Sequence, residues 1–265
     1  MKTYFELNKE TEKLLKQVNL KRYSVESEEN LAVLETNSAR CFIDKGITHY
    51  KFSLSEKSLI TPRKFTTISP ERTQVYAEWY TSEEANQKGI KRNAHETANI
   101  FDGMGVILVP DDFKIPIMVA TEENVKFYGL KLIPDGKSFC VSSLITETVL
   151  MEYDYKPNYV KDFLTKEHGG GGYYVEIHDF PHIHIPLNSS SKGSIIIGKR
   201  ISESQYCFTA FKIPFKYALY SPPGTIHGDG TLVGKYGISV ASSKTSANTV
   251  LFFNKDTLTK MDDIV

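Results

Sequence analysis

Period-two alternation governs the chain beyond about residue 100, whereas helical spacing appears only before it. Thr3-x-x-Glu6 has the form of a helix capping box. Leu7, Leu14, Leu15 and Val18 then recur at helical spacing as far as Asn19, which predicts one short amphipathic helix. Tyr50, Phe52 and Leu54 alternate with His49, Lys51 and Ser53 as in a half-buried strand. Thr81-x-x-Glu84 opens a second helix, weakened by Gly89. Strands are predicted over 105–109, 115–120, 125–133 and 139–153, and a short helical turn over 161–168. The run Gly169-Gly170-Gly171-Gly172 cannot hold regular structure cheaply and is the strongest punctuation in the chain. After it come strands over 173–187, 194–201, 206–213, 217–220, 234–241 and 249–253. Strands at short intervals, separated by Gly, Pro, Asn and Ser, predict a mainly β sandwich or barrel.

Composition narrows the function classes. A chain of 265 residues forms one or two domains. The balance of 32 basic and 32 acidic residues argues against nucleic acid or an anionic membrane as partner. Fifteen Tyr and fifteen Phe favour strands. Cys41, Cys140 and Cys207 are odd in number and widely spaced, unlike a disulfide framework, and no CxxC pair offers a zinc knuckle. The segment Met1-Lys2-Thr3-Tyr4-Phe5-Glu6 lacks the apolar core of a signal peptide, and runs such as Val106-Ile107-Leu108-Val109 are too short to span a bilayer. These features predict a cytoplasmic protein with a small-molecule substrate. A homodimer is compatible with them.

Four of the seven histidines fall between positions 178 and 227. In a regular strand Tyr174, Glu176, His178, Phe180, His182 and His184 would share one face. Pro181 lacks an amide proton, so a kink, bulge or edge is expected beside it. Two imidazoles at i and i+2 can converge on one metal. His227 leaves the tight turn Pro222-Pro223-Gly224 at a fixed offset, and a rigid turn suits a ligand. An HxH pair alone is more often a surface or packed pair, and the PxGxxH turn alone is weak. Together and in this order they favour a metal site.

His182-x-His184 followed by Pro222-x-Gly224-x-x-His227 resembles the two motifs of the cupin superfamily, over roughly residues 169–253. The resemblance implies a double-stranded β-helix barrel over 101–265, preceded by a mixed helix and strand region over 1–100. It implies one divalent ion held by His182, His184 and His227. Cupins place a glutamate after HxH and three or four intervening residues, but Asn188 and Ser189 stand there. The second motif's leading glycine falls at Lys216 and its trailing asparagine at Thr231. His178 and Glu176 are the nearest same-face substitutes for the missing ligand.

Three neutral imidazoles leave open positions on an ion, which can then bind water or polarise a substrate oxygen. Iron(II) is the metal the resemblance favours, with Zn, Mn or Ni as alternatives, since imidazole suits several ions. Oxygen-dependent, dioxygenase-like oxidation of a small polar molecule is the leading expectation. A sugar isomerase or epimerase and a non-catalytic metal-binding module are the alternatives. Glu176 would serve as general base and Tyr220, like Tyr174, would bond a substrate oxygen. Asp229 is read as a turn residue before a ligand-orienting one. Other signals are weaker. His168-Gly169-Gly170-Gly171 lacks a GxSxG elbow elsewhere, and His95-Glu96-Thr97-Ala98-Asn99 has Asn where HExxH needs its second ligand.

Overall fold

The computed structural model describes residues 21–23, 32–43, 45–51, 54, 71–92, 104–165, 170–241 and 247–265. The expected helix over 7–19 and the motifs at 95–99 and 168–169 lie outside them. The described residues are mainly β and form a nearly closed, barrel-like arrangement. In one sheet the strands run in the order Lys21–Tyr23, Ala32–Ile43, Thr148–Tyr155, Leu232–Ala241, His182–Pro186, Tyr217–Ser221 and Lys131–Pro134. In the other the order is Thr73–Tyr76, Gln205–Lys212, Ile195–Arg200, Ile226–Gly228, Tyr174–His178, Ala247–Asn254, Met104–Val109 and Glu78–Tyr80. A separate ribbon pairs Gly46–Lys51 with Ser138–Ser143. Strands from before residue 110 thus extend both sheets.

Setting aside the two-residue strand Lys192–Gly193, eight strands from Thr148 to Ala241 carry the architecture around the histidines. The first pairs with the eighth, the eighth with the third, and the third with the sixth. The second pairs with the seventh, the seventh with the fourth, and the fourth with the fifth. Every one of these pairings is antiparallel, and the chain alternates between the sheets for most of its length.

The expected unbroken strand over 173–187 is instead two strands in opposite sheets, Tyr174–His178 and His182–Pro186. The break has a local cause. Pro181 has no amide to donate to a ladder. Ser239 takes over the pairing: its hydroxyl accepts from the Ile183 N–H (2.7 Å) and donates to the Pro181 carbonyl (3.3 Å). The predicted strand over 125–133 likewise divides into a helical turn, Asn124–Tyr128, and a strand, Lys131–Pro134, with Gly129 at φ 80° between them. The strand over 139–153 splits at residues 144–147, where Leu144 and Ile145 are exposed. The short helix forms as its capping box requires: Thr81 accepts from the Glu84 N–H, and the Glu84 carboxylate returns the bond to the Thr81 N–H.

Two apolar layers flank the histidine-bearing sheet. Residues alternate along each strand, so Ile183, Ile185, Ala218 and Tyr220 pack outward against Phe139 and Val141 of the ribbon. The barrel interior is packed by residues such as Met151, Ile195, Ile197, Leu219 and Ile238. At about 25 cal/mol per Å² of apolar surface, each fully buried Ile or Leu contributes about 1.5–3 kcal/mol toward closing the sheets. No helix among the described residues is long and apolar enough to cross a membrane.

Candidate metal centre

Tyr174–His178 places Glu176 and His178 on the inner face of one sheet. Glu176 lies directly opposite His227 on one neighbouring strand and Thr249 on the other. The turn after His178 then delivers His182 and His184 to the inner face of the other sheet. His182 faces Ser221, and His184 lies between Leu219 and Ile238. Three rings therefore meet inside the barrel because a three-residue turn folds one histidine-rich segment across both sheets, and the strand Ile226–Gly228 adds His227.

Glu176, His178, His182 and His227 each offer a ligand atom within 4.8 Å of the others, and together they can hold a metal ion. The ring centres of the three histidines are 4.5–4.8 Å apart. His184 stands outside this group, stacked on His182 at 5.1 Å and 6.2 Å from His227. The four donors thus differ from the set implied by the motif: His178 and Glu176 enter, and His184 does not.

The turn that carries His227 is held from several sides. Gly224 adopts φ 78°, a left-handed conformation that glycine tolerates. Its N–H donates to the His178 carbonyl (2.8 Å), which ties the two ligand-bearing loops together. The Thr225 N–H and hydroxyl both donate to the Pro222 carbonyl. The Thr225 carbonyl lies 2.9 Å from His227 Nδ1. A carbonyl only accepts, so Nδ1 carries a proton, and Nε2 presents a lone pair inward when the ring is neutral. That nitrogen faces Glu176 Oε1 at 3.3 Å. Gly228 follows, and a Cβ there would lie 2.2 Å from the Tyr174 carbonyl, so only glycine permits the two strands to run so close.

Burial sets the electrostatics. Burial lowers the His178 pKa from 6.5 to about 3, with the neighbouring His227 acting in the same direction. Burial also holds His182 and His184 well below the ordinary histidine value. In His227 burial again works downward, but the adjacent Glu176 carboxylate outweighs it and the net direction is upward. A neutral imidazole is the form that binds a metal, so His178 and His182 are ready for one, whereas His227 must give up any Nε2 proton shared with Glu176. Seven buried side-chain nitrogen and oxygen atoms of this interior lack a hydrogen-bond partner, and they belong to His178, His182, His184, His227 and Ser221. Each such atom costs about 1–3 kcal/mol unless something satisfies it.

The surroundings separate the remaining expected residues. Tyr220 faces away from the histidines, since it is paired with Ile183. Its ring packs near Phe139, and its hydroxyl accepts from the Ser142 N–H. Tyr220 thus lies on the opposite face of the sheet from the histidines and not in the catalytic position expected of it: neighbours on a strand alternate faces, and His182 holds the inner one. The Tyr174 hydroxyl is committed to Asp229 Oδ1 (2.5 Å), and Tyr155 donates to the other oxygen, Oδ2 (2.9 Å). Asp229 is thus a buttress joining three strands, not a partner of a ligand imidazole. Phe180 lies flat on His178, with ring centres 3.6 Å apart and planes 4° apart. Its place in the alternating run gave no hint of that role. His49 is exposed on the outer ribbon. A cleft of about 720 Å³, lined by Trp79, Tyr206, Arg200 and Pro223 among others, includes none of the four donors.

Comparison with protein-family models, with curated proteins and with solved structures found no match to this chain.

Proposed function

We propose that the protein is a cupin-type metalloenzyme that oxidises a small polar molecule in an oxygen-dependent reaction. The observation that carries this reading is the meeting of Glu176, His178, His182 and His227 in a sheltered barrel, with Glu176 Oε1 and His227 Nε2 facing each other at 3.3 Å. Two electron-rich atoms at that distance call for a proton or a cation between them.

The strand order supports the fold half of the reading. Eight strands paired first-eighth-third-sixth and second-seventh-fourth-fifth have the connectivity of a jelly roll, the architecture to which cupins belong. The motif also gains its full ligand count when moved along the chain. Glu176-x-His178 stands for HxH, His182 follows at the four-residue interval of the missing glutamate, and His227 completes the set. The carboxylate and one imidazole have exchanged places.

Geometry bears on the metal. With a metal–nitrogen bond of about 2.1 Å, an imidazole centre sits about 3.2 Å from the ion, so ring centres would lie about 4.5 Å apart at right angles and about 5.2 Å apart in a tetrahedron. The observed 4.5–4.8 Å is of that order, while the donor atoms themselves lie up to 4.8 Å apart. Two donors of one ion can be at most about 4.2 Å apart at these bond lengths, so small side-chain rotations bring the widest pair in. Three imidazoles and one carboxylate would leave positions open on a six-coordinate ion, as the histidine and carboxylate sites of non-haem iron oxygenases do. An iron ion there would supply oxygen-activating redox chemistry. The chain's own part is to hold His227 in one tautomer through Thr225, to cover His178 with Phe180, and to keep bulk water from the donors.

The test is elemental analysis of untagged protein, followed by oxygen uptake with candidate chelating substrates. One ion per chain is expected, with iron giving the highest turnover, and the ion should be lost in His227→Ala and His182→Ala. Full-length folded protein that takes up no divalent metal would overturn the reading. Metal-dependent turnover without oxygen consumption would favour an isomerase instead.

A further inference from the structure

The four donors do not account for every unsatisfied group in the barrel. His184 is wholly buried, and neither ring nitrogen has a partner. Its ring is stacked on that of His182 and approaches His227, so it lies beside the ion-binding group and outside it. The Ser221 hydroxyl is also buried without a partner, and Ser221 sits directly across the sheet from His182 on the same face. Placing one ion among Glu176, His178, His182 and His227 satisfies none of these atoms. A neutral imidazole offers one N–H donor and one acceptor, and a serine hydroxyl offers one donor.

Charge identifies what would meet them. A divalent ion with one carboxylate and three neutral imidazoles keeps a single positive charge in a low-dielectric interior, which favours an anionic ligand at the open positions. We propose, on the basis of the metal-centre reading above, that His184 and Ser221 bind the non-metal end of a small anion held at the ion, a carboxylate-sized group rather than a bulky substrate. His184 is then a ligand-contacting residue and not a fourth imidazole on the metal. Phe180 packs tightly over His178 and all four histidine rings are buried, which favours a small anion over a bulky one.

The experiment uses the full chain loaded with cobalt(II), with azide as the probe anion, followed by visible absorption. Wild type, His184→Leu, His184→Gln and Ser221→Ala are compared. All four are expected to bind one cobalt per chain. His184→Leu should weaken azide by about tenfold or more, the worth of one charge-assisted hydrogen bond. His184→Gln, which keeps a donor, should lose less than about threefold, and Ser221→Ala should fall between them. If the leucine and glutamine variants both lose the cobalt, His184 is a metal ligand and the proposal fails. Equal azide affinity in all four proteins overturns it too, since His184 would then be packing alone. If wild-type protein takes up no cobalt, the metal-centre reading fails first, and that result is distinct from the other two.

Discussion

Acidifying the metal-free protein is the most direct test of how the histidines are buried. His178 has a folded pKa of about 3 against 6.5 when exposed. Between those two values the unfolded chain binds a proton that the folded one refuses, so stability falls as pH drops through this window. The slope is about 1.4 kcal/mol per pH unit for one such group, which gives a loss of about 2 kcal/mol on going from pH 7 to pH 5 and about 4 kcal/mol by pH 3. His182 and His184 are shifted in the same direction and add to the loss. His227 is shifted upward: its contribution is lost as pH rises through the folded value and is complete below the unfolded one, so it offsets part of the loss near neutrality and adds no further slope in acid. Against a typical total of about 5–15 kcal/mol, the sum is enough to bring the apoprotein near unfolding at mildly acidic pH. The assay is urea unfolding in excess chelator at several pH values, comparing wild type with His178→Leu. The variant should lose about 2 kcal/mol less than wild type between pH 7 and pH 5. Parallel pH profiles for the two proteins would refute the reasoning, because they would mean that His178 titrates freely in the folded state.

Three further substitutions separate the site from its supports. Asp229→Ala strands the hydroxyls of Tyr155 and Tyr174 and should cost about 2–4 kcal/mol in chemical denaturation, whereas a simple turn residue would cost under 1 kcal/mol. Gly228→Ala drives a methyl group into the Tyr174 carbonyl and should cost more than about 3 kcal/mol or prevent folding, seen as loss of soluble protein or a sharply lowered Tm. Tyr220→Phe removes one bond to the Ser142 N–H and should cost about 1 kcal/mol while leaving metal stoichiometry unchanged; loss of the ion would return Tyr220 to the site.

The physics of strands explains both what the sequence disclosed and where it misled. Alternation survives any arrangement of sheets, so the strands over 194–201, 206–213 and 217–220 lie within about a residue or two of those observed. The three-residue strand Ile226–Gly228 has too few positions to show a period, yet it carries His227; only the Pro-Pro-Gly turn before it pointed there. Same-face parity holds within a strand but stops at a turn. Reading 173–187 as one ribbon gave a single row of histidines, from which the HxH pair at His182 and His184 looked like the natural ligand set. The break at Asp179–Pro181 converts that row into two facing half-rows. Facing rows bring together residues that are nearest the fold, not nearest in sequence, so His178 and Glu176 meet His182 and His227 while His184 is carried one rung deeper. Pro181 was the visible warning. What it could not reveal was that Ser239, 58 residues away, satisfies the interrupted ladder and so makes the break stable instead of merely permitted. That long-range bond pair holds the break that brings Glu176 and His178 opposite His182, and a segment's own pattern carries no trace of its partner.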